Sequence, residues 1–327
     1  MTKIYKLQNQ IKHYDWGSPK LIPDLLGLSG TDKEPKKPCA EMWMGTYPFA
    51  PSHVADSGAS LKEISGELPF LFKLIAVEKP LSIQVHPDKE QAQAGFNREN
   101  EEGIEIDSPI RNYKDKNAKN ELICAITPFT LIAGFMEPKK IYASLGDTFH
   151  EQWELVRRLE SIYPQDVGAF SPLFLNLIKL QPGEGLFIPA GTPHAYIKGF
   201  GVELMTNSDN VIRGGLTSKH VDSDELKKIS KPVPFIPNII APSGDSQTCY
   251  PLPGENFSLY RINGGDKPVS FPQSGHSVCI VTEGELKTEN QIIKKGESFY
   301  IPSCGKDAPF LLEGNFSLFA ACVTDAK

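Results

Sequence analysis

Between residues 80 and 88 the chain reads Pro-Leu-Ser-Ile-Gln-Val-His-Pro-Asp, with Leu81, Ile83 and Val85 alternating with Ser82, Gln84 and His86. Alternate side chains of an extended strand share a face, so the pattern predicts a strand with one apolar face and one face of Ser, Gln and His. Such a polar face occurs on an ordinary half-exposed strand, and it also occurs where Gln84 and His86 converge on one bound atom. Residues 68–77 are almost wholly apolar, broken by Lys73. They predict a buried strand whose lysine either snorkels to an edge or is kept for an anion. Because this run leads straight into 80–88, Lys73, Ser82, Gln84 and His86 are expected on neighbouring strands facing one space. Glu121 opens a further apolar strand, Leu-Ile-Cys-Ala-Ile.

Elsewhere the period changes. Residues 88–96 predict a short helix with Asp88 as N-cap and Gly95 as its end, followed by a polar, irregular loop over 97–120. Phe149, Trp153, Leu155, Val156 and Leu159 recur at helical spacing within 147–163, and 172–179 is a second, shorter helical candidate. Residues 137–180 therefore form an expected helical elaboration in a mostly β chain. Residues 1–56 are turn-broken and aromatic, as strands and loops are, with 41–45 a candidate strand.

Residues 181–196, Gln-Pro-Gly-Glu-Gly-Leu-Phe-Ile-Pro-Ala-Gly-Thr-Pro-His-Ala-Tyr, spell turn, strand and Gly/Pro turn, with His194 opening the returning strand. The unit recurs, since Lys-Gly-Glu-Ser-Phe-Tyr-Ile-Pro at 295–302 matches Pro-Gly-Glu-Gly-Leu-Phe-Ile-Pro at 182–189. Before it, 277–286 is expected to be a hairpin turning at Gly284. A repeated turn–strand–proline unit predicts a small β-barrel used twice, its strands folded back as in jelly rolls. The second copy continues Ser-Cys-Gly-Lys-Asp-Ala-Pro, with no histidine, so it can keep the fold without the site.

Composition narrows the classes. With 23% charged and 40% hydrophobic residues in a chain of 327, neither disorder nor a fibrous repeat is indicated. A formal charge of -6 argues against a nucleic-acid partner while allowing a local basic pocket for a small anion. The six cysteines are dispersed without a Cys-x-x-Cys pair, the usage of reduced thiols in a cytoplasm. No signal-peptide pattern and no run of roughly 20 apolar residues is present, so a cytoplasmic chain without a membrane partner is expected.

Gln84, His86, Glu121 and His194 thus point inward from β-type segments. Two imidazoles, a carboxylate and an amide oxygen suit a borderline divalent ion such as zinc, with room for water or substrate. Ser-Ile-Gln-Val-His-Pro-Asp, Arg-Asn-Tyr-Lys-Asp followed by Lys-x-Glu, Ile-Pro-Ala-Gly-Thr-Pro-His-Ala-Tyr and Glu-Leu-Met-x-Asn-Ser-Asp-Asn-Val-Ile-Arg-Gly-Gly-Leu occur in that order. With them, from Tyr14-Asp-Trp-Gly to its end, the chain resembles the type I mannose-6-phosphate isomerases.

The resemblance implies a mainly β fold of two cupin-type (jelly-roll) barrels with a small helical insertion. Residues 1–136 with 181–235 would form the catalytic barrel, 137–180 the insertion, and 236–327 a degenerate barrel without metal ligands. It implies an enzyme that interconverts mannose 6-phosphate and fructose 6-phosphate with one zinc ion per chain, held by Gln84, His86, Glu121 and His194. Arg213, Lys119 and Asp209 fall at active-site positions; Lys73 and Ser82 fall at positions associated with the phosphate, and Lys219 is a third candidate for it. Two departures stand out: where the family pattern reads Asn-His-Lys-Pro-Glu, this chain has Ala118 for the histidine and Asn120 for the proline, and Ser218 stands where a proline is usual. Two other readings stay open. One is a sugar-phosphate sensor that binds without turnover, favoured by Ala118; the other is an iron-dependent cupin oxygenase, since two histidines and a carboxylate also suit iron(II). The oligomeric state is not legible.

Overall fold

A computed structural model describes residues 3–146, 150–272, 275–288, 291–303 and 310–324. The apolar run at 68–77 becomes strand Phe70–Val77, buried along its whole length. It pairs antiparallel with Glu41–Gly45 on one side and with the long strand His194–Thr206 on the other. The far edge of the long strand binds Glu121–Ala125, which in turn binds Gly185–Ile188. The long strand also turns a corner. Its first residues, from His194 to Lys198, pair with Phe129–Phe135, and His194 pairs with Gln84 of the short strand Ile83–Val85. The register slips between Tyr196 and Lys198, and Gly199 has φ +141°, where a Cβ would strike Phe129. A glycine is needed at that bend because the backbones approach too closely for any side chain. One strand thereby joins two faces of a folded-over sheet, and its first residue, His194, sits where they meet.

A second sheet holds most of the C-terminal part in the order Gln247–Pro251, Phe257–Ser270, Leu311–Val323, Ser277–Lys287, Ser298–Ile301. The chain is thus mainly β, two jelly-roll-like sheet systems of the cupin type with helices at the margin. The repeat noted in the sequence extends to individual bonds. Gln181 N donates to Glu184 Oε2 at 2.7 Å and Lys294 N to Glu297 Oε2 at 2.7 Å. Gly183 N donates to Ala125 O and Gly296 N to Val281 O, both at 2.8 Å, with φ of +87° and +84° at the two glycines. In the first copy Ile188 lies opposite Glu121; in the second Ile301 lies opposite Ser277. A hydroxyl therefore stands where the first copy has its carboxylate. The segment following the second repeat, at 304–309, lies outside the described residues.

The sheets exchange ends. Tyr5–Gln8 pairs with Ser298–Ile301 in the C-terminal sheet, and Ile239–Ile240 pairs with Gly185–Ile188 in the first. One core of buried side chains, Phe70, Phe72 and Leu74 with Tyr250, Phe257 and Val278 among them, runs between the two sheets.

Several local expectations change. The predicted strand at 80–88 is only Ile83–Val85 long, so His86 follows it rather than belonging to it. The helix after it begins as expected, with Asp88 and Gln91 forming a capping box, but runs Lys89–Glu101. Gly95 does not end it; the glycine is there because Tyr113 packs against the helix where a Cβ would sit. The helix expected over 147–163 is His150–Ile162 in the described residues. Residues 172–179 are not helical: a 3-10 turn, Val167–Leu173, gives way to strand Leu175–Leu180, paired with Phe129–Phe135. Leu175, Ile178 and Leu180 are buried, and an open sheet edge captured a segment too short to hold a helix alone. Residues 277–287 form one continuous strand whose register shifts between Val281 and Glu283, and Gly284, at φ +66°, stays paired opposite Phe316 rather than turning a hairpin.

Candidate metal centre

Three candidate ligands meet because three strand ends meet. Glu121 opens its strand, His194 opens the long strand, and His86 follows Ile83–Val85. His86 Nε2 lies 3.0 Å from Glu121 Oε1, and His194 Nε2 lies 3.1 Å from Glu121 Oε2. All three side chains are buried, and their ligand atoms lie within 4.8 Å of one another. Gln84 lines the adjoining cavity, in register with His194 on one side and Arg213 on the other.

The other ring nitrogens fix the tautomers. His86 Nδ1 is 2.8 Å from Asn210 O and His194 Nδ1 is 2.9 Å from Thr192 O. A carbonyl only accepts, so each Nδ1 carries a proton, and in the neutral ring the Nε2 presents a lone pair. Burial pushes the His86 imidazole down to about 4 against the pull of Glu121, leaving it neutral near pH 7. Burial also opposes the charge on Glu121, yet its carboxyl is held well below the usual range, with the Lys119 ammonium 3.0 Å from its Oε1. The His86 lone pair thus faces an ionised carboxylate in a buried space, and among the described residues His86 Nε2 has no hydrogen-bond partner. Lys119 pairs with the carboxylate, while the two imidazole Nε2 atoms and the carboxylate lie close enough to share one ion, so the donor set fits a divalent ion of the zinc type.

A cavity of about 490 Å³ adjoins the three ligands through Gln84, paired with His194, and Lys119, whose ammonium reaches Glu121, while the three ligands themselves do not line it. Every other site residue expected from the sequence lines it: Lys73, Ser82, Gln84, Lys119, Asp209, Arg213 and Lys219. Their electrostatic states differ. Lys119 Nζ is 3.0 Å from Glu121 Oε1 and buried. Lys73 Nζ is 3.1 Å from Glu203 Oε2 and 4.0 Å from Glu41 Oε1, and 4.9 Å from the centroid of the Trp43 ring. Burial works against this ammonium, but Glu41 and Glu203 overcome it and raise its pKa. The charge on Lys73 is therefore already balanced by protein groups. By contrast, Arg213 has no ion pair within 4 Å among the described residues, and Lys219 lies over the Tyr14 ring at 5.6 Å from its centroid. Asp209 borders the same cavity, with Lys114 at 4.0 Å.

Some contributing residues were not singled out from the sequence. Glu203 takes both Lys73 and the Tyr196 hydroxyl, the latter at 2.9 Å. Asn210 orients His86 through its carbonyl, while its side chain accepts from Lys114 N and Asp115 N and donates to Asn117 O. For Glu203 a signal existed: it is a lone acid in the apolar run Val-Glu-Leu-Met at 202–205, and it sits directly across from the lone Lys73. For Asn210 nothing in the sequence marked a carbonyl as the important atom.

Residues 4–138 match the family model for the phosphomannose isomerase type I catalytic domain. The chain is 32% identical to mannose-6-phosphate isomerase of Escherichia coli (strain K12), over 95% of this chain and 97% of that protein. It is likewise 32% identical to a probable mannose-6-phosphate isomerase of Caenorhabditis elegans, over 91% and 90%. Its fold superposes with a TM-score of 0.86 and 31% identity on a crystal structure of the Salmonella typhimurium enzyme bound to substrate and zinc, covering 98% of this chain and 99% of that one. Identity at this level, spanning nearly the whole length of both chains, shows that the chain belongs to the type I mannose-6-phosphate isomerase family.

Proposed function

We propose that this chain is a zinc-dependent aldose–ketose isomerase that interconverts mannose 6-phosphate and fructose 6-phosphate through an enediolate. The observation that carries the reading is the convergence of His86 Nε2, His194 Nε2 and the Glu121 carboxylate, joined through Gln84 and Lys119 to a cavity that Lys73, Arg213 and Lys219 also line. His86, Glu121 and His194, with the Gln84 amide oxygen, would hold the ion. When bound, it supplies positive charge next to the C1 and C2 oxygens, where negative charge develops as a proton leaves the carbon beside the carbonyl.

The remaining work falls to side chains of the cavity. Arg213, with no anion paired to it among the described residues, offers a planar set of donors to the same oxygens or to the phosphate. Lys219 and the Ser82 hydroxyl are assigned to the phosphate, which fixes the sugar against the floor of the cavity. Lys73, proposed for the phosphate from the resemblance, has two carboxylates as partners, and this supports a role in holding the wall instead. For the proton, Asp209 and Lys119 are the candidates. Asp209 borders the open cavity, and Lys119 is tied to Glu121, which supports Asp209 as the group free to move a proton.

We place the protein in the cytoplasm. Supporting this, the five cysteines among the described residues are free, and no described helix is long and apolar enough to cross a membrane. A coupled assay for fructose 6-phosphate tests the function. Turnover with zinc, its loss on chelation and its return on adding zinc back are expected. A zinc-replete protein that binds mannose 6-phosphate without converting it would make the chain a sensor instead.

A further inference from the structure

We propose that Asn120 is a positioning residue for the metal centre, locking Glu121 to the turn that delivers His194 and tying both to the C-terminal sheet through Glu255. The inference rests on the metal reading above.

Asn120 directly precedes Glu121, and each of its four polar groups is engaged. Its N–H donates to Thr206 Oγ1 at 3.1 Å and its carbonyl accepts from Thr206 N at 3.2 Å. Its Oδ1 accepts from Ala190 N at 3.0 Å, and its Nδ2 donates to Glu255 Oε1 at 2.8 Å. The amide orientation is not ambiguous, because an N–H must meet the oxygen and a carboxylate must meet the NH2 group. Ala190 is buried and lies in the turn between Ile188 and His194, so the Oδ1 bond spans from one ligand's strand to the approach of another. The next residue of that turn, Gly191, donates its N–H to His86 O at 2.8 Å. One side chain thus sits at the joint between the segments bearing all three ligands.

The Glu255 end is the unexpected part. Glu255 belongs to the turn between Gln247–Pro251 and Phe257–Ser270, in the sheet that has Ser277 where the first has its carboxylate. Without Asn120 the buried Ala190 N–H loses its acceptor, and the peptide before Glu121 loses its contact with the second sheet. Groups that orient ligands from outside the coordination sphere typically change metal affinity by about 10–100-fold.

The test uses the full chain as wild type, Asn120→Ala, Glu255→Ala and Glu255→Gln. In metal-free protein, amide hydrogen exchange at Ala190 is expected to quicken at least tenfold on Asn120→Ala. Zinc affinity by chelator competition is expected to fall on the order of tenfold or more, with shifted visible bands when Co2+ replaces zinc. Glu255→Ala, at a half-exposed position that threatens the fold least, should lower affinity in the same direction by less. Glu255→Gln, which keeps an acceptor oxygen, should restore it. Unchanged Ala190 exchange, or zinc affinity within twofold of wild type in Asn120→Ala with the same Co2+ bands, overturns the proposal. If Asn120→Ala does not fold, Glu255→Ala with wild-type affinity overturns the link to the second sheet. A wild-type chain that takes up neither zinc nor Co2+ defeats the metal reading itself, a different result from either of these.

Discussion

At the scale of single residues, the decisive distinction is between charges that already have partners and charges that do not. Lys73 and Glu203 are 4% and 3% exposed and face each other across two strands, with Glu41 and Tyr196 completing the cluster. Removing one member of a buried pair strands the other, at about 3–5 kcal/mol, whereas removing both is far milder. Lys73→Met is therefore expected to lower unfolding free energy by about 3–5 kcal/mol, and Lys73→Met with Glu203→Met to recover most of that loss, read by urea denaturation of the metal-free protein. A Lys73→Met chain as stable as wild type would return Lys73 to the role of a phosphate ligand. Both residues were visible as lone charges inside apolar runs. Their pairing was not, because register between segments 130 residues apart is set by the sheet and not by either segment. The candidate metal triad was legible for the opposite reason: His86, Glu121 and His194 each stand at a strand end or a turn, and turns are written locally in Pro and Gly.

At the scale of elements, the sequence was read well where the pattern was strictly local and poorly where a neighbour decided. The capping box at Asp88 and Gln91 is a local signal and starts the helix where expected. Gly95 is equally local in appearance but answers to Tyr113, 18 positions on, whose ring occupies the place of a side chain. Leu175–Leu180 looked helical because a leucine-rich hexapeptide suits either period, and only the open edge of Phe129–Phe135 makes it a strand. Gly95→Ala separates the two meanings of the glycine. A helix-interior glycine replaced by alanine gains roughly 0.5–1 kcal/mol from propensity alone. Overpacking against the buried Tyr113 ring opposes this by about 1–3 kcal/mol, so a net loss of stability is expected. A rise in the urea midpoint would mean the ring moves aside freely. Since this helix follows directly from His86, the same variant should also weaken zinc binding, but less than any ligand substitution.

At the scale of the whole molecule, two sheets with one repeated plan have diverged in chemistry and remained joined in packing. The C-terminal sheet has Ser277 in the place of Glu121, yet it contributes Tyr250, Phe257 and Val278 to the shared core and pairs with the first strand of the chain. Lys6 and Glu297 add an ion pair at 2.8 Å across that pairing. A unit whose edge strand and core side chains come from the other unit has little to gain from folding alone, since its apolar face would remain in water. Unfolding is therefore expected as one transition, in which fluorescence of Trp16, Trp43 and Trp153, all outside the C-terminal sheet, coincides with far-ultraviolet circular dichroism from both sheets. Phe257→Ala sharpens the test, because Phe257 lies in the C-terminal sheet with its ring 5.6 Å from that of Phe70 in the first. Truncating a buried phenylalanine destabilises by about 3–5 kcal/mol. If the molecule is one cooperative unit, that loss moves the tryptophan transition as far as the circular dichroism transition, and excess zinc moves both back together by mass action. A circular dichroism curve that splits in two, with the tryptophan step unmoved by Phe257→Ala, would show two independently stable sheets and confine the metal's stabilising effect to the first.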